Sequence, residues 1–413
     1  MKNGKVDVAV IGASLAGCAT AIHLARKGAK VALIERETEP QAFKNLCTHS
    51  IHSSATPAIE RLGLSEAIEA AGGVRIQLEI WTKWGWIRDP WTPKDRPAYG
   101  YNIRREKLDP MLRSLATSTP GVEFLPGYTL RALTIEGKRP IGVKVQNQRM
   151  SEHEIRCQLI VGADGRNSSV AKLAHLKETV KPNERFAYYA HYRNVDLKGT
   201  CQTWFLDPDW AGAFATDDGV VVAGVMLPRS KLAAWKKDLW GNLENFFERL
   251  PDAPNLASGT RVSPMMGIIE MPNISRPAMR PGLALVGDAV LAADPLWGVG
   301  CGFALESAEW LADSVAEALN GNGDLDQGLK RYAKRHHKAL HGHAHLMSDY
   351  STCRPFNVFE RLMYSAAARD SGCAANLLSF GTRNIRPLKF LAPSALMRSL
   401  GVNLSHLVQR ASA

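Results

Sequence analysis

The run Gly12-Ala13-Ser14-Leu15-Ala16-Gly17 stands between a Val-rich segment, residues 5–11, and an apolar stretch of helical pattern, residues 18–27, closed by Gly28. That placement leaves the start of the chain few folds to choose from. A strand that is apolar on both faces belongs inside a parallel sheet. A glycine at its end permits the tight turn, and a second glycine lets the next helix press onto the sheet. Residues 30–35 repeat the Val/Ile pattern. The order is therefore strand, helix, strand, with the parallel pairing that a crossover helix imposes. The middle position of the glycine fingerprint is Ser14, small enough to leave the helix N-terminus open to an anion and able to add a hydroxyl. Glu35 ends the second strand, where a carboxylate accepts hydrogen bonds from an adenosine ribose and disfavours a 2′-phosphate. The motif predicts a bound dinucleotide.

Two later segments have the same strand-to-turn character. Residues 159–161 run into Gly162-Ala163-Asp164-Gly165, followed by Ser168 and Ser169 as helix caps. Residues 283–286 deliver Gly287-Asp288, and Gly298, Gly300 and Gly302 then open a helix predicted over 303–319. Glycines there let backbone amides approach a flat ligand, and helix N-terminal amides favour negative charge on it. Between these segments, residues 186–226 read as antiparallel strands with turns at 207–209 and 217–219. Residues 74–91 read as Trp-rich β-structure closed by Pro90, Pro93 and Pro97. Residues 231–250, 324–346 and most of the chain after 348 have helical patterns. A parallel core interrupted by an antiparallel block predicts interleaved domains.

Composition narrows the function classes. A chain of 413 residues buries a core without disulfide or metal. Cys18, Cys47, Cys157, Cys201, Cys301, Cys353 and Cys373 are odd in number and show no C-x-x-C spacing, which suits a reducing compartment. With no secretory pattern and no long apolar run, the expected location is cytoplasmic. His337, His341 and His345 share one helical face, but no Cys or catalytic acid pattern accompanies them, so no metal site is expected. The net charge of +11 includes no dense basic run, and no nucleic-acid partner is expected. After residue 350, Arg354, Arg361, Arg369, Arg383, Arg386, Lys389, Arg398 and Arg410 outnumber Glu360 and Asp370. A small-molecule substrate is the expected partner; this basic C-terminal region reads first as a solvated surface, with weak contact to a membrane or acidic partner as the alternative.

The three motifs, in this order and spacing, resemble the class A FAD-dependent monooxygenases of the para-hydroxybenzoate hydroxylase fold, over about residues 5–315. The resemblance implies an α/β fold: a Rossmann-type FAD-binding domain (residues 1–72, 101–178 and 277–345), an interleaved antiparallel-sheet substrate domain (73–100 and 179–276) and a helical C-terminal extension (346–413). It implies FAD as cofactor and NAD(P)H as co-substrate. Within the fingerprint bounded by Gly12 and Gly17, Ser14, Leu15 and Ala16, with Glu35 and Arg36, would hold the ADP half of FAD. Arg105 would open a helix and reach the flavin. Asp164 belongs to a segment that handles FAD and NAD(P)H. Asp288 would bind the ribityl chain, and Gly298, Val299, Gly300 and Cys301 would face the pyrimidine edge of the ring.

Some positions depart from the pattern. Ser14 replaces the middle glycine, and Val290 stands where a histidine often follows the Gly-Asp segment. Trp84-Gly85-Trp86-Ile87 partly matches a motif of flavin halogenases but lies far too early in the chain. Cys47 lies where prenyl reductases place a Cys-Gly pair, yet Thr48 follows it. The implied activity is NAD(P)H- and O2-dependent oxygenation of a small aromatic or polycyclic molecule. A dehydrogenase or reductase that inserts no oxygen, and a flavin-binding redox sensor without turnover, stay open. No catalytic side chain is assigned, and His49 and His52 read as pocket-lining before acid–base groups. Residues 186–226 and the Trp-rich strand near 81–91 are expected to form the substrate chamber, with Trp86 and Trp204 in its wall and Arg88 or His191 orienting the ligand.

Overall fold

The computed structural model describes residues 5–88 and 99–411. Trp91 and the Pro90, Pro93, Pro97 cluster fall outside the described residues. The chain opens with β1 (Val8–Ile11), α1 (Leu15–Arg26) and β2 (Val31–Glu35). The core is continued by α2 (Arg105–Ser118), β3 (Val122–Pro126) and β4 (Leu159–Gly162). It closes with β5 (Met279–Arg280), β6 (Leu283–Leu285), α3 (Gly300–Leu319) and α4 (Leu325–Tyr350). The strands lie in the order β5-β6-β4-β1-β2-β3. All pairs are parallel except β5 with β6. β1 and β4 are buried at every position, which accounts for their lack of apolar–polar alternation. Because the chain leaves β1 toward β2 on one side and reaches β4 on the other, the C-terminal end of β1 is a topological switch point, where open α/β sheets bind ligands.

α1 packs between the sheet, α2 and α3, and its first turn uses Leu15, Ala16, Gly17, Cys18 and Ala19, all buried. The close fit has one strict point: a Cβ on Gly17 would lie 1.7 Å from the carbonyl oxygen of Gly12. Gly12 itself has φ +100°, a conformation that side-chain-bearing residues rarely adopt.

A second, larger sheet has eight strands. Its order is Thr260–Arg261, Arg185–Arg193, Val221–Pro228, Trp210–Ala215, Cys201–Phe205, Leu78–Thr82 and Gly85–Ile87, with Met266–Ile268 also paired to Arg185–Arg193. The sheet is antiparallel save at one seam, where Leu78–Thr82 runs parallel to Cys201–Phe205. Successive side chains of a strand point to opposite faces, and the two faces differ. The outer face carries Phe186, Tyr188, Trp204 and Val225, covered by Trp235, Leu243 and Phe247. The inner face carries Leu78, Tyr189, Phe205, Trp210, Phe214 and Val222.

The remaining helices complete the inner core. α5 (Val358–Ala367), α6 (Ser371–Gly381) and α7 (Pro393–Ala411) follow α4. Met363, Tyr364, Leu377 and Phe380 share one core with the inner face of the large sheet. No described helix is long and apolar enough to cross a membrane.

Candidate functional site

The site starts at the switch point. Cys18 N donates to Ser14 O (2.9 Å), which starts the hydrogen bonding of α1, and no side chain caps the turn. The amides of Leu15, Ala16 and Gly17 thus precede any intrahelical acceptor and carry the positive end of the helix dipole. Glu35 is fixed beside them. Its Oε2 accepts from Ala13 N (2.6 Å), and its Oε1 accepts from the amides of Arg36 (2.8 Å) and Glu37 (3.1 Å). Arg36 directs its side chain outward, with Nε donating to Glu37 (3.2 Å).

Arg105 lies across the same opening and is buried. Its guanidinium donates to Ser14 Oγ (2.8 Å) and to both oxygens of Asp109 (2.6 and 2.9 Å). Burial works against its charge, and the Asp109 carboxylate more than restores it. Two turns on, Arg113 donates to the carbonyls of Pro40 and Ala42 (2.5 and 2.8 Å). Arg105, Asp109 and Arg113 recur at i, i+4 and i+8 on α2, so one helical face presents a buried cation–anion–cation row. The sequence reading used only the first of the three. The i, i+4 charge spacing was the available signal for the others.

Asp164 lies beside Gly12, but its carboxylate is engaged locally. It accepts from Ser168 Oγ (2.6 Å) and Val170 N (3.1 Å) at the start of the short helix Ser169–Leu173, which Ser168 caps. Asp288 follows β6 and meets a partner that the sequence reading missed: Lys44 Nζ lies 3.2 Å from its Oδ2. Burial alone would raise the Asp288 carboxyl, yet Lys44 and Arg166 hold it below the usual carboxylate range. The Lys44 backbone amide donates to Asp109 (3.0 Å), tying the loop to α2.

Gly298, Val299, Gly300 and Cys301 lead into α3. Phe303 N donates to Val299 O (3.0 Å), and no side chain caps the turn. This second open helix N-terminus converges on the first through the Lys44–His49 loop. The neighbouring Cys301 holds the Cys47 thiol well below its ordinary range. Burial opposes that shift, and His49, Arg105 and Lys44 reinforce it; Cys301 moves the opposite way. His49 accepts from Arg105 N at Nδ1 (3.0 Å), leaving its buried Nε2 without a partner. The structure therefore brings together Ser14, the α1 amides, Glu35, Arg105, Asp288 and the 298–301 loop, and leaves Arg36 at the margin.

Beyond Gly298 the site opens into a narrow cavity. Ser50, His52 and Gly298 form one side, and Leu78, Cys201, Thr203, Phe205, Trp210, Phe214 and Trp297 the others. Its wall is apolar and aromatic but holds two buried donors without partners, Trp210 Nε1 and Ser50 Oγ. Burial pulls the His52 imidazole down to about 4, so it is neutral near pH 7.

Three expectations about this chamber are corrected. Trp204 lies on the outer face, with Nε1 on Pro251 O (2.9 Å) and its ring against Phe247. Trp86 packs on Trp204 from the same side and donates to Asp252 (2.8 Å). Arg88 pairs there with Glu79 and stacks over Trp86. Each is displaced by the strict alternation of strands: Thr203 and Phe205 point inward, so Trp204 cannot. His191 does occupy the inner face, 5.3 Å from His49 between ring centroids, and burial lowers it to about 4. His337 and His341 stack on the α4 surface; among the described residues no group of three His, Cys, Asp or Glu gathers as a metal site.

The donor set suits FAD. Two open helix N-termini suit a pyrophosphate and an electron-rich ring edge, and the carboxylates of Glu35 and Asp288 and the buried Arg105 stand at the same site. The family model for the FAD binding domain matches residues 5–344. A tryptophan 2-halogenase of Chondromyces crocatus is 26% identical over 342 residues, covering 79% of this chain and 64% of the relative. This chain thus spans less than two thirds of that relative's length. A digeranylgeranylglycerophospholipid reductase of Thermoplasma acidophilum is 24% identical over 340 residues, covering 79% of this chain and 82% of the relative. Among solved structures, the flavin-dependent brominase Bmp2 superposes with a TM-score of 0.79 at 19% identity, covering 96% of this chain and 98% of that one. The p-nitrophenol 4-monooxygenase PnpA of Pseudomonas putida superposes at 0.74 with 17% identity, covering 92% and 98%. At these identities the superpositions speak for the fold.

Proposed function

The chain belongs to the FAD binding domain family of oxidoreductases, and from that premise we propose that it is a monooxygenase using NAD(P)H and O2 to oxygenate a small aromatic or polycyclic substrate. The observation that carries this reading is the aromatic cavity that shares Gly298 with the cofactor cradle. A ligand there would be walled by Phe205, Trp210, Phe214 and Trp297, which suit a flat apolar body.

When bound, FAD would supply the two-electron chemistry that activates O2. The protein's own residues have simpler tasks. The α1 amides and Arg105 would neutralise the pyrophosphate, Glu35 would hold the adenosine ribose, and Asp288 would take the ribityl hydroxyls in exchange for Lys44. The α3 amides would offset negative charge at the ring edge. Trp210 Nε1 and Ser50 Oγ would orient a substrate that carries a hydrogen-bond acceptor, because a buried donor without a partner costs about 1–3 kcal/mol. The apolar wall excludes water, which protects a reactive oxygen species from side reactions.

The test is the rate of NADH and NADPH oxidation by the holoprotein in air, against a panel of phenols, naphthols and quinolones, with and without bromide. The expected result is donor oxidation stimulated by ligand and independent of halide. Halide-dependent product would place the chain with the halogenating relatives. Saturation of a double bond under anaerobic conditions would place it with the reductases.

A further inference from the structure

The α7 helix carries apolar residues on two sides, one against its own core and one exposed. Its protein-facing side packs Ala395, Leu396 and Val402 on the inner core, with Ser399 and Asn403 among them. Ser399 is fully buried and donates to Ala395 O (2.9 Å). Asn403 accepts from Ser365 Oγ (2.9 Å) and Arg369 (2.6 Å) and donates to Leu362 O (3.1 Å). The opposite side carries Met397, Leu400, Leu404 and Leu407, exposed by 72, 48, 55 and 62%. Their spacing of three, four and three residues puts them on one stripe. Just before the helix, Leu388 is 89% exposed. A contiguous apolar stripe of this kind marks an interaction surface.

The charges select the occupant. Residues 371–411 contain Arg383, Arg386, Lys389, Arg398 and Arg410 but no Asp or Glu. Arg383 and Arg398 are ion-paired to Glu306 and Asp370, while Arg386, Lys389 and Arg410 are exposed. A second copy of the chain docked on this stripe would bring two acid-free cationic segments together, which like-charge repulsion opposes. An anionic lipid surface satisfies both features: leucines enter the acyl boundary while the cations meet headgroups. We infer that α7 and the Leu388–Lys389 turn dock the protein on anionic membranes, lying in the interface without spanning it. α5 and α6 lie between this face and the chamber, since Tyr364 and Phe380 belong to the inner core with Phe205 and Trp210. Docking stands apart from the oxygenase reading and does not require it.

The test is co-sedimentation of the holoprotein with vesicles of phosphatidylglycerol and phosphatidylcholine (3:1), or of phosphatidylcholine alone, at low and high salt. The account expects binding to the anionic vesicles only, weakened by salt. Leu400→Glu/Leu404→Glu should reduce partitioning at least about tenfold. Arg386→Gln/Lys389→Gln/Arg410→Gln should reduce it about a hundredfold at low salt, with flavin content and melting temperature unchanged. Both variants alter exposed side chains, so folding is separately readable. Equal binding by both vesicle types, or binding unchanged in the leucine variant, would overturn the inference. So would absence of binding with a dimer in sedimentation velocity that Leu404→Glu dissociates, which would assign the stripe to a second copy.

Discussion

The two halves of the site are made of different material. The cradle between β1, α1 and α3 is largely backbone: helix amides, glycines held at fixed distances, and a few charged side chains locked by ion pairs. The chamber beyond Gly298 is side chains alone, chosen by which face of a strand they stand on. In the first half, position along the chain fixes function, and one methyl group can be fatal. In the second, function depends on which neighbour a strand pairs with, and a side chain can change without disturbing the cofactor.

The largest expected effect follows from the cradle's backbone. Gly17→Ala places a methyl 1.7 Å from Gly12 O, so α1 must move off the sheet. The purified variant is expected to lack flavin, with a stability loss of about 1–3 kcal/mol or more. Normal flavin content would show that the cradle tolerates what its geometry forbids. Asp288→Ala comes next. It removes one ligand and leaves Lys44 without its carboxylate, and FAD affinity is expected to fall about ten- to a hundredfold, read by fluorescence titration of the apoprotein.

The chamber should respond separately. Trp210→Phe keeps an aromatic wall and removes the unpartnered Nε1–H. Substrates bearing an acceptor are expected to lose about five- to tenfold in kcat/KM, with FAD content unchanged. Trp204→Phe, on the outer face, is expected to lower melting temperature and leave kcat/KM alone. If the two variants exchange these outcomes, the face assignment is wrong.

The smallest effect is a pH dependence. His52 and His191 are held near 4 by burial, below the ordinary value near 6.5. The unfolded chain therefore binds protons first as pH falls below 6.5, and native stability should decline from there toward about 4. In His52→Gln that decline should be shallower, as measured by denaturant unfolding at pH 7, 5.5 and 4.5. An unchanged slope would remove His52 from the account.

How much of this the chain shows before folding differs between the halves for the same reason. Gly12, Gly17, Glu35 and Asp288 act through local geometry or through strand ends, and spacing along the sequence reveals both. Lys44 meets Asp288 across the fold, and Cys47 meets Cys301 the same way; no local pattern encodes either contact. Trp204 and Phe205 are adjacent and both aromatic. Only the pairing with Leu78–Thr82 and the helix over the outer face decides which one enters the chamber.

The central claim is that a ligand in this chamber receives an oxygen atom beside a cofactor held by the cradle. The most direct measurement is a single turnover of the reduced holoprotein with ¹⁸O₂ and a bound aromatic ligand, followed by mass spectrometry of the product. The account predicts a product heavier by one ¹⁸O atom, formed by wild type and by Trp204→Phe. Stoichiometric hydrogen peroxide with unlabelled ligand, from every ligand that enters the chamber, would contradict it.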